Sequence, residues 1–236
     1  MFANPVLEKL RQRISCLEDG QRKFSRLISI SDAVDRSLPY GGLPTGCIHE
    51  VKGASLAGAI AFSAILSARI AQGHENKDAR NVLYIAPDRS LCPLGLLPYG
   101  IKPGQILYVS AKRGQGVLWA VMEALRCSQV SSVVALVDAL DLTESRKLQL
   151  AAETSGATGF FIGSAPAVSI AAPVTRWKIS PVSGGRGRRF DEPIWALDLL
   201  YSRGGRPGKW MLEWRGRMLR TIPAQPVQTE REALAG

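Results

Sequence analysis

Ile48-His49-Glu50-Val51-Lys52-Gly53-Ala54-Ser55-Leu56-Ala57-Gly58 is the stretch whose reading decides the fold. A short strand-like run at 47–52 ends in Gly-x-x-x-x-Gly over a loop at 53–58. A helix is expected to follow from Ala59 to about Gln72, closed by Gly73. Its apolar residues, Ile60, Phe62, Ile65, Leu66 and Ile70, fall on nearly every face, which marks a buried helix. Strand, glycine-bounded loop and helix are the frame of a phosphate-binding loop, where backbone amides and the positive helix end face an anion. In a working loop of this kind the next two residues are Lys, for the outer phosphates, and Ser or Thr, for magnesium. Here they are Ala59 and Ile60, which can neither neutralise phosphate nor ligate a metal. Residues Gly53, Ala54, Ser55, Leu56, Ala57, Gly58, Ala59 and Ile60 therefore read as a vestigial nucleotide site.

Outward from this stretch, strands alternate with helices. Asn81–Ala86, Ile106–Val109, Val133–Val137 and Phe160–Ile162 are continuous apolar runs, the pattern of strands covered on both faces. Between them, Val117, Leu118, Val121, Met122 and Leu125 stripe a helix near 115–128. A further helix, capped by Thr143, is expected to run to about Ser155 and to close at Gly156. The alternation predicts an α/β fold with a mainly parallel, doubly wound sheet. After residue 163 the helices stop. Strands are expected at Thr175–Ile179, Ile194–Tyr201 and Lys209–Trp214, extending the sheet edge as an antiparallel ribbon.

Upstream, Asn4-Pro5 opens an amphipathic helix that Gly20 closes. This helix suits docking on its own core or on another subunit, so a homo-oligomer stays open. A short helix over 31–38 and a turn-rich passage, Leu38–Gly46, follow. The expected division is a helical segment at 1–28, an α/β domain at 29–222 and a polar, disordered tail at 223–236.

Composition narrows the function classes. The chain has 236 residues, 46% of them apolar, and a formal net charge of +10. No long uncharged apolar run suggests a membrane span, and the N-terminus lacks the apolar core of a signal peptide. A cytoplasmic location is expected. Four cysteines at irregular spacing, Cys16, Cys47, Cys92 and Cys127, and two histidines, His49 and His74, argue against a zinc site, a disulfide framework or a histidine-based catalytic centre.

The segment from Val34 to Gly53, with its Gly41-Gly42-Leu43-Pro44-Thr45-Gly46 turn and a strand carrying Glu50, resembles the entry segment of the RecA superfamily. Tyr84-Ile85-Ala86-Pro87-Asp88 is similar to the strand that ends in that family's catalytic glutamate, with the shorter Asp88 in its place. Asp138, at the end of an apolar strand, matches the Walker B acid. Within the superfamily the chain looks most like the ImuA family, the RecA-like accessory proteins of a bacterial mutagenesis cassette, also described as SulA-like. Leu142–Glu153, Arg176-Trp177-Lys178-Ile179 and Gly208–Trp214 carry that likeness. The long DNA-contacting loop of the recombinases is absent after Phe160–Ile162, as is their separate C-terminal domain. The resemblance implies a RecA-like core without catalysis: an adaptor with no cofactor of its own, although weak binding of ATP and magnesium stays open. The implied partners are an inactive Y-family-like polymerase protein (ImuB-type), an error-prone replicative-type polymerase, RecA, and single-stranded DNA.

Between Arg176 and Arg220 eleven basic residues face four acids (Asp191, Glu192, Asp198 and Glu213), a net +7. Tryptophans are interleaved with these charges. Arginine with aromatics suits phosphate pairing and base stacking, and equally suits protein interfaces. Trp177 and Trp195 are read as core residues. Arg186, Arg188 and Arg189 of a basic loop, with Arg203, Arg206, Lys209, Trp210, Arg215 and Arg217, are the expected DNA or partner contacts. Two other readings compete. One is an unorthodox DNA-stimulated ATPase that recruits a lysine such as Lys52 or Lys112. The other is a SulA-type inhibitor of cell division, which would bind a tubulin-like protein.

Overall fold

The computed structural model describes residues 24, 26–72, 80–87, 93–163, 169–182 and 192–223. The helix expected between Asn4 and Gly20, its counterpart stop at Gly73, the basic loop 183–189 and the tail beyond Pro223 lie outside these residues.

A short antiparallel pair, β1 (Leu27–Ile28) and β2 (Leu43–Pro44), brackets helix α1 (Asp32–Asp35). Helix α1 is one turn rather than the eight residues expected. Asp35 turns its carboxylate back onto Ser29 Oγ at 2.6 Å and the Ile30 amide at 2.8 Å at the start of the helix. The chain leaves it through tighter turns, Ser37 N donating to Val34 O at 2.9 Å and Leu38 N to Asp35 O at 3.0 Å, ahead of Pro39. Then come β3 (Ile48–Gly53), helix α2 (Leu56–Gln72), β4 (Asn81–Ala86), β5 (Ile106–Ser110), helix α3 (Gln115–Arg126), β6 (Val130–Val137), helix α4 (Leu142–Ser155) and β7 (Thr158–Gly163). Strands β8 (Thr175–Val182), β9 (Ile194–Ser202), β10 (Gly208–Arg215) and β11 (Met218–Ile222) complete the chain. Two 3-10 turns, Pro93–Tyr99 and Pro103–Gln105, lie between β4 and β5.

Among the described residues one nine-stranded sheet has the order β11-β10-β9-β8-β3-β7-β6-β4-β5. From β5 to β8 every pairing is parallel; β8–β9, β9–β10 and β10–β11 are antiparallel. The sheet is thus mostly parallel with an antiparallel C-terminal extension, as the loss of helices after residue 163 predicts. One detail differs. Strand β8 joins the two parts: it is antiparallel to β9, as expected, and also parallel to β3, with Val51 opposite Trp177. The ribbon therefore grows from the strand that leads into the glycine loop.

Helices cover both faces. Helix α2, with α1 and the β1–β2 pair, packs on one face around Phe62, Ile65, Trp177 and Leu212. Helices α3 and α4 pack on the other around Val121, Leu125, Leu148 and Phe161. Thirteen of the seventeen residues of α2 are buried, which explains why its apolar residues show no single stripe. Ser63 survives there by donating to Ala59 O at 2.8 Å. The cap of α4 is Asp141 and not Thr143: its carboxylate accepts from the Glu144 amide at 2.7 Å, and Glu144 returns a bond to the Asp141 amide at 3.1 Å. An ionised acid at this position also suits the helix dipole. Gly156 closes α4 at φ +78°, the left-handed turn that favours glycine. Among the described residues no helix is long and apolar enough to cross a membrane.

Candidate functional site at the carboxyl edge of the sheet

The six parallel strands β3 to β8 all end at the same edge of the sheet. Strands β3 and β4, consecutive in the chain, are separated by β7 and β6. In open α/β sheets the crevice beside such a break in strand order is where ligands bind. The loop after β3 lies at this edge, with Asp138 at the end of β6.

That loop is shorter than its glycine spacing predicts. Strand β3 runs to Gly53 and α2 begins at Leu56, so only Ala54 and Ser55 lie between them. Leu56, Ala57 and Gly58 already belong to the first helical turn. Three amides in this stretch are engaged within the protein. Ala54 N donates to Ile179 O on β8 at 2.9 Å, and Ala59 N to Ser55 O at 3.4 Å. Gly58 N donates to Ser55 Oγ at 3.3 Å, the bond of a serine N-cap. A side chain at Gly53 would come within 2.3 Å of Ser55 O and 2.9 Å of Ala59 Cβ. Gly53 thus permits a tight strand-to-helix corner. Ala59 and Ile60, at the positions of the absent Lys and Ser/Thr, are buried in the core under α2.

The acids at this edge have protein partners. Asp138 Oδ1 lies 3.6 Å from Arg113 Nη1, both groups substantially exposed. Asp88 lies outside the described residues. Lys52 Nζ, one lysine available to an unorthodox ATPase, is 3.7 Å from Glu50 Oε1; the other, Lys112, is exposed. Glu50 itself is 0% exposed and forms the ionic centre of the edge. Its Oε2 accepts from Arg176 Nε on β8, and its Oε1 accepts from the Ile170 amide at 3.3 Å. Arg176 Nη2 in turn donates to Ile170 O at 2.9 Å and Ser169 Oγ at 3.1 Å. A buried carboxylate requires such pairing. Sequence reasoning missed the pairing of Glu50 with Arg176. The available signal was an acid inside a strand too apolar to be solvated.

A second buried polar group sits one residue earlier. His49 on β3 stacks on Phe160 with ring centroids 5.4 Å apart. Its Nε2 lies 2.9 Å from Pro44 O, and its Nδ1 lies 2.7 Å from Thr175 Oγ1. A carbonyl can only accept, so Nε2 carries the proton and Nδ1 accepts from the Thr175 hydroxyl. Burial lowers the His49 pKa to about 4, against a smaller raising effect of the Pro44 carbonyl. The neighbouring Cys47 thiol, 3.3 Å from His49 Nε2, is buried with it. Full enclosure keeps this pair structural. Among the described residues no cluster of His, Cys, Asp and Glu could hold a metal ion.

The basic C-terminal residues do not form one patch. Arg203 and Arg206 lie in the β9–β10 turn, where Arg203 N donates to Val174 O at 3.0 Å and Arg206 N to Ser37 O at 3.3 Å. That is the amino edge of the parallel strands. Arg215 and Arg217 lie at the other end of β10, the carboxyl edge, about 25 Å away along an eight-residue strand. Arg215 Nε is 3.4 Å from Glu192 Oε1. Arg217 adopts φ +63° after Gly216 at φ +56°, the left-handed pair of a two-residue hairpin turn. Lys209 stands between the two groups, exposed, and opposite Asp198, which is also opposite Lys178. Trp210 is half-buried, its ring over Gly208. Trp177, Trp195 and also Trp214 are core residues. Arg186, Arg188 and Arg189 lie outside the described residues. Among the described tryptophans the exposed one is instead Trp119 on α3, at 68%. Its position outside the Val117–Val121–Leu125 stripe was legible from helical spacing.

A mostly parallel α/β sheet with a closed corner after β3, a buried ionic centre behind it and an antiparallel basic extension defines the class of protein. No family model matches the chain. Two curated relatives, both described as Protein ImuA and both from strains of Caulobacter vibrioides, are 32% identical to it over 212 residues. The match covers 84% of this chain and 87% of each relative. The chain belongs to the ImuA family.

Proposed function

We propose that this chain is a non-catalytic, RecA-like adaptor of damage-induced mutagenesis, working in translesion DNA synthesis in the cytoplasm. It associates with an inactive Y-family-like polymerase partner and an error-prone replicative-type polymerase, and engages RecA or single-stranded DNA during the SOS response. It carries no nucleotide cofactor. The observation that carries this reading is the corner after β3: three of its amides are bonded inside the protein, and Ala59 and Ile60 are core residues. A triphosphate would have to break those bonds and would meet neither a lysine nor a metal-binding hydroxyl at 59 and 60. The pairing of Lys52 with Glu50, which already serves Arg176, weighs against recruitment of Lys52. Membership of the ImuA family supports the cellular setting.

The test is equilibrium binding and turnover of Mg-ATP by the purified protein, with and without single-stranded DNA. The adaptor reading expects no saturable binding at millimolar ATP and no turnover above buffer. DNA-stimulated hydrolysis that is abolished by Asp138→Asn or Asp88→Asn would replace it with a working ATPase.

A further inference from the structure

At the far end of the sheet from β5, strand β11 pairs, among the described residues, with β10 on one side only. Its outer edge borders a groove of about 840 Å³ whose opposite wall is the β1–α1 segment. The Ser31 and Thr221 hydroxyls, 2.8 Å apart, tie the two walls together at one point. Leu27, Ile30, Met218 and Leu219 make the apolar lining, with Leu27 and Met218 exposed at the lips. Four arginines, Arg26, Arg36, Arg69 and Arg220, contribute the charge. Arg26 donates to Arg69 O at 3.4 Å and Arg69 to Ile30 O at 2.9 Å, so these guanidiniums are held in place by carbonyls. Asp35 offsets Arg69, and Asp32 lies at the rim. Positive charge remains in excess, and Arg36 and Arg220 are exposed.

A sheet edge offers alternating amides and carbonyls, which match a peptide backbone and not a phosphodiester. Among the described residues no aromatic side chain lines the groove, so bases would find no stacking platform there. The length of β11 matches a segment of about five residues, roughly 17 Å. We propose that this groove takes an extended acidic segment of a partner protein, added as a strand along β11 with its carboxylates on Arg36 and Arg220. The groove lies at the end of the sheet and is separate from the corner after β3, so it stands whether or not nucleotide binds there.

Fluorescence anisotropy with the full chain tests this. The probe is a fluorescein-labelled octapeptide alternating glutamate and valine. Its controls are the same peptide with proline at alternate valines, a lysine–valine octapeptide, and a labelled eight-nucleotide oligothymidylate. The glutamate–valine peptide is expected to bind saturably, with each control at least tenfold weaker. The double variant R36A/R220A is expected to weaken it tenfold or more. Met218→Glu, at an exposed lip, should do the same by repulsion and serves if the double variant does not fold. Absence of saturable binding overturns the proposal. So does equal binding of the proline peptide, or affinity that none of these substitutions changes. Oligothymidylate binding lost on the same substitutions would assign the groove to nucleic acid and overturn it as well.

Discussion

The corner after β3 and the hairpin between β10 and β11 are both glycine-containing turns at the carboxyl edge, and they behave in opposite ways. At the corner, Gly53 lets the chain fold tightly inward and Ser55 caps the helix, so the amides of Ala54, Gly58 and Ala59 are bonded within the protein. At the hairpin, Gly216 lets the chain turn outward and places Arg215 and Arg217 in solvent. A Gly-x-x-x-x-Gly spacing therefore carries no phosphate chemistry by itself. What matters is whether the amides it contains face outward.

The sharpest way to break this contrast is to attack the ionic centre behind the corner. Arg176→Ala should leave Glu50 buried with only the Ile170 amide and the more distant Lys52 nearby and destabilise the protein by about 3–5 kcal/mol, read from chemical denaturation. A loss under 1 kcal/mol would mean that Glu50 is solvated and the corner is open. Acid should act next. His49 is neutral in the fold with a pKa of about 4, against 6.5 in an unfolded chain. Between those values the unfolded state binds the proton and the fold does not, so stability should drop as pH falls from 6.5 to 4. The total is about 3 kcal/mol, and His49→Gln should flatten that part of the pH profile. Ser55→Ala should cost about 1 kcal/mol through loss of the cap, seen as a lower thermal midpoint with no change in any nucleotide response. A smaller effect of opposite sign is expected at the hairpin. Arg217→Gly relieves a left-handed residue and should stabilise by about 0.5–1 kcal/mol, measured by denaturation. Arg217→Asn should recover part of that gain.

The parallel half was legible because strands covered on both faces read as unbroken apolar runs, and the burial of α2 because its apolar residues ring the helix. The limits of several elements were not. Strand β6 begins at Val130 because Ser131 and Ser132 are buried, Ser131 donating to Asn81 O at 3.0 Å, a contact that local patterning does not reveal. The final strand, β11, has an exposed residue at three of its five positions and no apolar run to announce it. For the site, the replacement of Lys and Ser/Thr was visible at once, and the short corner was not, since it depends on the bond from Ala54 to β8. The arginines looked like one basic region because they are close in the chain. An extended strand separates what sequence places side by side.

Strand β3 occupies the middle of the sheet while coming early in the chain, and this has a consequence for biosynthesis. Its neighbours are β7 and β8, and Glu50 meets Arg176 across 126 residues. At 5–20 residues per second a ribosome needs roughly 6–25 s to make that span. Throughout that interval the nascent chain holds a carboxylate that has yet to receive its guanidinium, and until β7 is made the strand has neither neighbour. Completion of this part of the sheet is thereby tied to the synthesis of β8, and premature termination before β8 would yield a product with its central strand uncovered on one side.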